Sequence, residues 1–224
     1  MRSNRYVLLF MSSITIVLGI LLSLAATALK DRQDRNVQID MKKNILRSLN
    51  IPEDRSQKLM TDDIESLFKS YIKTIQVDEN GNSVKSDGNA VFIKMIDGVE
   101  AGYSIPISGK GLWSTIYGYL AIEPDGETVK GVTFYKHGET PGLGGEIDKD
   151  WFTANFVGKK IVTPEGLPCS IGIFKGKVAK DNPKEYCLVD GISGATMTGK
   201  GVNIFIEKDL KTYGEYFSQI RQNQ

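Results

Sequence analysis

Residues 90–135 read AVFIKMIDGVEAGYSIPISGKGLWSTIYGYLAIEPDGETVKGVTFY, and the fold turns on them. Short runs rich in β-branched and aromatic residues recur here, at 90–96, 103–107, 114–122 and 129–135. Asp97-Gly98 and Asp125-Gly126 fall between runs, and Asp-Gly is a strong hairpin signal because both residues tolerate positive φ. The gaps are too short for crossover helices, so the strands are expected to pair antiparallel rather than as βαβ units. Two further short runs, 170–174 and 186–189, read as strands around a Lys175-Gly176 turn. The β-rich region therefore spans 90–190.

Helices are expected on both sides of it. Residues 37–49 show helical apolar spacing with Lys and Arg on the other face. A second helix is expected to open at Asp62, three residues before Glu65, in a capping pair. Its apolar stripe is Ile64, Leu67, Phe68, Tyr71, Ile72 and Ile75, which places the helical region at 37–76. Residues 148–156 read as a short helix. A last helix, 198–220, buries Val202, Phe205, Ile206, Leu210, Tyr213 and Phe217. The expected class is α+β, a mostly antiparallel sheet with flanking helices.

Upstream, residues 6–29 form an apolar run without a single charge. At about 1.5 Å per residue such a helix spans the roughly 30 Å hydrocarbon core of a bilayer. A cleaved signal peptide is the rival reading, since Arg2 and Arg5 precede the run and Ala26-Thr27-Ala28 resembles a cleavage site. Its apolar part would be only about 7–15 residues, so an uncleaved single-pass anchor in membrane lipid is expected. The expected organisation is a tail at 1–5, the anchor at 6–29 and one domain at 30–224. Charge orients it poorly: Arg2 and Arg5 lie before the run, but Lys30, Arg32, Arg35, Lys42 and Lys43 follow it, a bias that would hold the domain in the cytoplasm.

With 28 basic and 27 acidic residues in 224, the chain lacks the basic stripe of a nucleic-acid binder, and no nucleic-acid partner is expected. His137 is the single histidine and no His/Cys cluster accompanies it, so no metal site is expected. Cys169 and Cys187 sit in apolar runs; they either pair in an oxidising compartment or stay as buried thiols, and neither has the partner of a catalytic cysteine.

The chemistry lies in residues 190–200, DGISGATMTGK. A hydroxyl among small residues, after a strand and at the start of a helix, marks a place for a phosphate, because a helix N-terminus offers unpaired N–H groups and a positive dipole end. Gly194 to Lys200 matches the first seven positions of a P-loop. Gly201 then replaces the Ser/Thr that would hold Mg²⁺, and the chain ends at Gln224, before a doubly wound sheet could be completed. A plain Gly/Ser/Thr helix cap accounts for the hydroxyls but leaves Asp190 unexplained.

Asp190, Ser193, Gly194, Ala195 and Thr196 match the D-x-x-S/T-G-A-T signature of the covalent FMN-binding domain family. His137-Gly138-Glu139-Thr140-Pro141-Gly142-Leu143-Gly144 is similar to the loop that borders the flavin there. With the anchor, nearly the whole chain resembles the C subunits of sodium-translocating NADH:quinone reductases; the G subunits of Rnf ferredoxin:NAD oxidoreductases share the same parts. The resemblance implies FMN joined through a phosphoester to Thr196 by a flavin transferase that cleaves FAD. It also implies a periplasmic domain on the inner membrane, other redox subunits as partners, and an electron-relay role in an enzyme that is not complete in this chain.

The cofactor-binding set expected from it is Thr196 with Asp190, Ser193, Gly194, Ala195, Thr198 and Lys200, and the loop residues Glu139, Thr140, Gly142, Leu143 and Gly144. No residue of this chain is expected to be catalytic. Amides of the loop would reach the flavin's pyrimidine edge while Leu143 covers an apolar ring. Asp190 either orients the threonine or serves as a turn residue. Lys200 either neutralises the phosphate or stays solvated. Trp113 either stacks on the ring or fills the core. The contrasting class is an anchored ligand-binding or scaffold domain without redox chemistry, which colour alone would distinguish from a yellow flavoprotein.

Overall fold

The computed structural model describes residues 4–52 and 59–223. Arg2, in the expected tail, lies outside them. The chain divides into two units, 1–41 and 42–224.

Helix α1, Asn4–Ser48, contains both the apolar run and the stretch expected as a separate helix at 37–49. No proline or glycine interrupts residues 30–36, so nothing in the sequence ends the first helix before the second begins. Within the first unit the apolar side chains are exposed all round, and the helix is long and apolar enough to cross a membrane.

The second unit is built on a six-stranded antiparallel sheet in the order β2-β1-β3-β4-β5-β6. Its strands are β1 (Ile72–Val77), β2 (Ser83–Val84), β3 (Asn89–Ile96), β4 (Val99–Lys110), β5 (Thr115–Ile122) and β6 (Val129–Lys136). The Asp97-Gly98 signal holds: Ile96 pairs with Val99, and both turn residues have positive φ, 50° and 81°.

One edge departs from expectation. Helix α2 is Thr61–Tyr71, and Ile72 and Ile75 belong to β1, where Ile75 pairs with Val91 of β3. Ile72 and Ile75 extend the stripe of a helix in sequence, and pairing with β3 overrides that local pattern. The cap also differs: the Met60 N–H donates to Asp63 Oδ2 at 3.0 Å, so Asp63 rather than Glu65 closes the box.

Both faces of the sheet are covered. On one, the end of α1 is seated through buried Ile45, Leu46 and Leu49, the Ser48 hydroxyl lies 2.8 Å from the Ser104 hydroxyl, and the Asn50 side chain donates to the Lys130 carbonyl. On the other, α4 (Thr196–Thr212) and α5 (Gly214–Gln222) pack Val202, Phe205, Ile206, Leu210, Tyr213 and Phe217 against Tyr103, Ile105 and Ile107 of β4. The single helix expected at 198–220 is thus two. The break falls at Tyr213, whose buried ring sends its hydroxyl to the Ala90 carbonyl at 3.1 Å, and Gly214 follows with little preference for helix.

Between sheet and α4, residues 144–156 form two 3₁₀ segments around the short helix α3 (Asp150–Thr153), which bury Ile147, Phe152 and Phe156. The expected strands at 170–174 and 186–189 contract to a two-residue parallel pair, β7 (Gly172–Ile173) and β8 (Leu188–Val189). The Asn203 side chain ties α4 to this pair, accepting from the Ile173 N–H at 2.6 Å and donating to the Ile173 carbonyl at 3.1 Å.

Candidate functional site

Thr196 is the first residue of α4 and is exposed. Ala195 precedes it without any side-chain cap, so the first amides of a 17-residue helix are left for an outside acceptor. The turn into the helix needs Gly194, which has φ +75°; a Cβ there would also lie 2.7 Å from a methyl of Leu143. That close approach brings the 137–144 loop against the 190–200 stretch.

A second connection is polar. The Thr198 hydroxyl donates to Glu139 Oε2 at 2.6 Å, and both residues are buried, at 1% and 5% exposure. The same carboxylate accepts from the N–H groups of Trp113 (2.9 Å), Leu112 (3.3 Å) and Ser114 (3.4 Å). Ser114 Oγ in turn accepts from the Gly138 N–H at 2.6 Å. Three segments far apart in sequence, 111–114, 137–144 and 190–200, thus meet at one place.

Burial of Glu139 would raise its pKa, but the Thr198 hydroxyl and the three amides outweigh it and hold the carboxyl below the ordinary glutamate range. Four hydrogen bonds to a charge, at roughly 1.5–3 kcal/mol each, suffice to offset a desolvation cost of several kcal/mol. A lowered pKa stabilises the fold above the ordinary glutamate value, and that contribution is lost as pH falls through the folded-state value. The gap in Tm between wild type and Glu139→Gln is therefore expected to be widest near neutrality and to shrink on acidification. A gap unchanged by pH would mean that the carboxylate's charge contributes nothing.

The remaining expected residues are spread around this centre. Trp113 is 71% exposed, which removes the core alternative for it. Leu143 and Met197 are exposed as well, and Thr140 takes up the Leu143 and Gly145 amides on its carbonyl. Gly142 has φ +75° with open space around it, whereas a Cβ on Gly144 would sit 2.4 Å from Thr198 Oγ1. Ser193 and Lys200 are exposed. Asp190 Oδ1 accepts from the Val178 N–H at 2.7 Å, so half of its carboxylate holds the loop before β8. The position that breaks the P-loop pattern has its own reason: a Cβ on Gly201 would lie 2.4 Å from the Lys110 carbonyl oxygen.

His137 is satisfied within its loop, Nδ1 accepting from the Glu139 N–H at 3.3 Å and Nε2 lying 3.5 Å from Asp148. Among the described residues no group of three metal-ligating side chains occurs. Cys169 and Cys187 are free thiols; burial, with Cys187 beside it, pushes Cys169 up to about 12, far from a reactive thiolate.

Sequence reasoning missed Glu146, whose carboxylate takes the Gly142 N–H at 3.2 Å and the Trp151 indole N–H at 3.3 Å, and Asn203. The spacing of Glu146 four residues after Gly142 was a usable signal; Asn203 gave none. A cavity of about 540 Å³ lies elsewhere, lined by Cys169, Leu210, Phe217 and Arg221 toward the other end of α4, and includes none of the candidate residues.

An exposed hydroxyl on an uncapped helix start, beside exposed Leu143 and Met197, fits a phosphate carrying a flat apolar ring. Residues 111–211 match the FMN-binding domain family model. Across nearly the whole chain, the C subunit of the Na⁺-translocating NADH-quinone reductase of Yersinia pestis is 30% identical, over 96% of this chain and 92% of that protein. The chain belongs to this C-subunit family. The Vibrio anguillarum C subunit is 32% identical over 85% of this chain and 84% of its own length. In three dimensions, the crystal structure of the C subunit from Parabacteroides distasonis superposes with a TM-score of 0.74 at 32% identity, covering 85% of this chain and 97% of that one. The Shewanella oneidensis NqrC crystal structure gives 0.70 at 26% identity, with 85% and 99% covered.

Proposed function

We propose that this chain is the flavin-carrying electron-relay subunit of a membrane Na⁺-translocating NADH:quinone oxidoreductase, with FMN joined to Thr196 through a phosphoester. The observation that carries the reading is Thr196 itself: exposed, at the first position of α4, in a D-x-x-S-G-A-T context, with Leu143 packed alongside Gly194. The relatives are C subunits, which favours the quinone reductase over the Rnf-type complex. Intact-mass measurement of the native protein with peptide mapping tests it. The expected result is one FMN adduct on the peptide that contains Thr196, and a mass without adduct would sink the assignment.

The bound flavin supplies the electron-carrying chemistry. The chain's residues bind and orient. The uncapped amides of the first α4 turn would hold the phosphate, whose charge the helix dipole would favour. Lys200, one turn along, adds a positive charge that would otherwise sit at the unfavourable end of the helix. Leu143, Met197 and Trp113 offer apolar surface to the ring, while the Gly142, Leu143 and Gly145 amides, taken up by Glu146 and Thr140, hold the loop that carries Leu143 in shape. A flavin transferase is required, because an unactivated threonine hydroxyl is a weak nucleophile.

Residues 6–29 serve as the anchor and the domain lies on the periplasmic side of the inner membrane, against the local charge count. Large domains translocate largely regardless of flanking charge. Alkaline phosphatase fused after Gln224 is expected to be active in whole cells, and a fluorescent protein that matures only in the cytoplasm is expected to be dark at the same site. The reverse pattern would place the domain inside.

A further inference from the structure

The Glu139 cluster is more than a packing detail, because it decides which way the acceptor turn faces. Thr196 and Thr198 are two residues apart on one helix, and at 3.6 residues per turn their side chains point about 200° apart. Drawing Thr198 inward onto a buried carboxylate therefore turns Thr196 outward. Their burial agrees: Thr198 is 1% exposed, while Thr196 faces solvent. The carboxylate is tightly enclosed. A Cβ on Gly111 would meet Glu139 Oε1 at 2.6 Å, and one on Gly144 would meet Thr198 Oγ1 at 2.4 Å and Glu139 Oε2 at 3.0 Å. Glu139 also fixes Trp113 by its backbone, so the acceptor turn and the Trp113 loop share one rigid centre.

We propose that Glu139 is the positioning residue of the acceptor turn: by holding Thr198 and the amides of Leu112, Trp113 and Ser114 together, it sets the direction in which Thr196 presents its hydroxyl for FMN transfer. This rests on the reading that Thr196 is the acceptor. In that transfer the Thr196 oxygen bonds to the flavin-side phosphorus of FAD and the phosphoanhydride bond breaks. AMP leaves with the bridging oxygen, and the hydroxyl proton passes to a base of the transferase. The attacking oxygen must approach opposite the departing AMP, so a turn free to rotate spends less time in a productive pose. Glu139 is buried with its oxygens taken by Thr198 and three amides, so it acts on Thr196 through the turn it holds rather than on the reacting oxygen.

Glu139→Gln keeps the shape but replaces one acceptor oxygen by a donor. If the amide oxygen serves Trp113 and Ser114, the new NH₂ faces the Leu112 N–H and can hold Thr198 only by donating to its hydroxyl, so a charge-assisted bond is exchanged for a neutral one beside an unpaired amide. Thr198→Val removes the hydroxyl from the other side and is the milder test should the first variant fold poorly. Thr198→Ser restores it. Asp209→Asn is the control for general weakening of α4, because Asp209 Oδ2 accepts from the Ser108 N–H at 2.7 Å, more than three turns from Thr196.

The experiment uses the full-length apo chain in detergent with FAD, Mg²⁺ and flavin transferase, and follows the initial rate of covalent fluorescence. Glu139→Gln and Thr198→Val are expected to lower kcat for labelling about tenfold, the size of one lost charge-assisted hydrogen bond. KM for the chain should move by less than about twofold, since the surface offered to the transferase is unchanged. Thr198→Ser and Asp209→Asn should label like wild type. A second readout needs no flavin: amide exchange at Gly199 and Lys200 of the apo chain, the first hydrogen-bonded amides of α4, should quicken in Glu139→Gln and Thr198→Val, with β4 and β5 unchanged. Wild type labelled at Thr196 with Glu139→Gln equally fast, or with unchanged exchange at Gly199 and Lys200, overturns the proposal alone. A wild-type chain that takes no label, or takes it elsewhere, overturns the underlying reading and the proposal with it.

Discussion

Thr196→Val will leave no flavin fluorescence on a denaturing gel, while Thr198→Val, given time to reach its end point, will still carry it. The contrast follows from geometry. Both residues lie in the first turn of α4, yet one hydroxyl is exposed and the other is buried 2.6 Å from Glu139. A transferase cannot reach a buried oxygen without unwinding the turn, and valine at 196 has the shape of threonine without an atom to bear the phosphoester. The effect of Thr196→Val is all-or-none because attachment is covalent, whereas noncovalent contacts to a ring would only shift affinity. In-gel fluorescence with mass mapping of the labelled peptide checks it. An adduct on Thr198 or Ser193 would show that the acceptor turn opens before transfer, and the site would have to be redrawn.

The sheet was legible because its evidence is local: alternating β-branched runs and Asp-Gly turns sit next to the strands they shape, and β3 to β6 follow them. The misread elements are those decided by distant partners. Ile72 and Ile75 extend a helical stripe, and only β3, arriving later in the chain, makes them strand. Tyr213 continues the apolar face of a helix until its hydroxyl finds Ala90. In the site, the small-residue run and the helix start were readable from spacing, so Thr196 was found. The inward role of Glu139 was not readable, because its partners lie 25 to 27 residues before it and 59 after it. Trp113 illustrates the same limit: ring stacking and core filling call for the same residue, and exposure alone separates them.

NADH will fail to bleach the flavin-loaded chain, although dithionite will bleach it at once. A dinucleotide donor is ordinarily held where a glycine-rich turn joins a parallel strand to a helix, with the pyrophosphate on the helix N-terminus. No G-x-G-x-x-G joins a strand to a helix in this sequence. The six-stranded sheet is antiparallel throughout, and β7 and β8 pair over only two residues. The uncapped start of α4, at Thr196, is the place proposed for the FMN phosphate. Hydride transfer also needs the nicotinamide stacked on the flavin, which calls for a second binding surface that Leu143, Met197 and Trp113, already assigned to the ring, do not provide. The full-length chain, labelled in detergent and kept anaerobic, should therefore keep its yellow absorbance for many minutes with excess NADH and lose it on adding dithionite. Rapid bleaching by NADH alone would make the chain a complete dehydrogenase, even with Thr196 confirmed as the attachment point, and electrons would then need no neighbouring subunit to reach it.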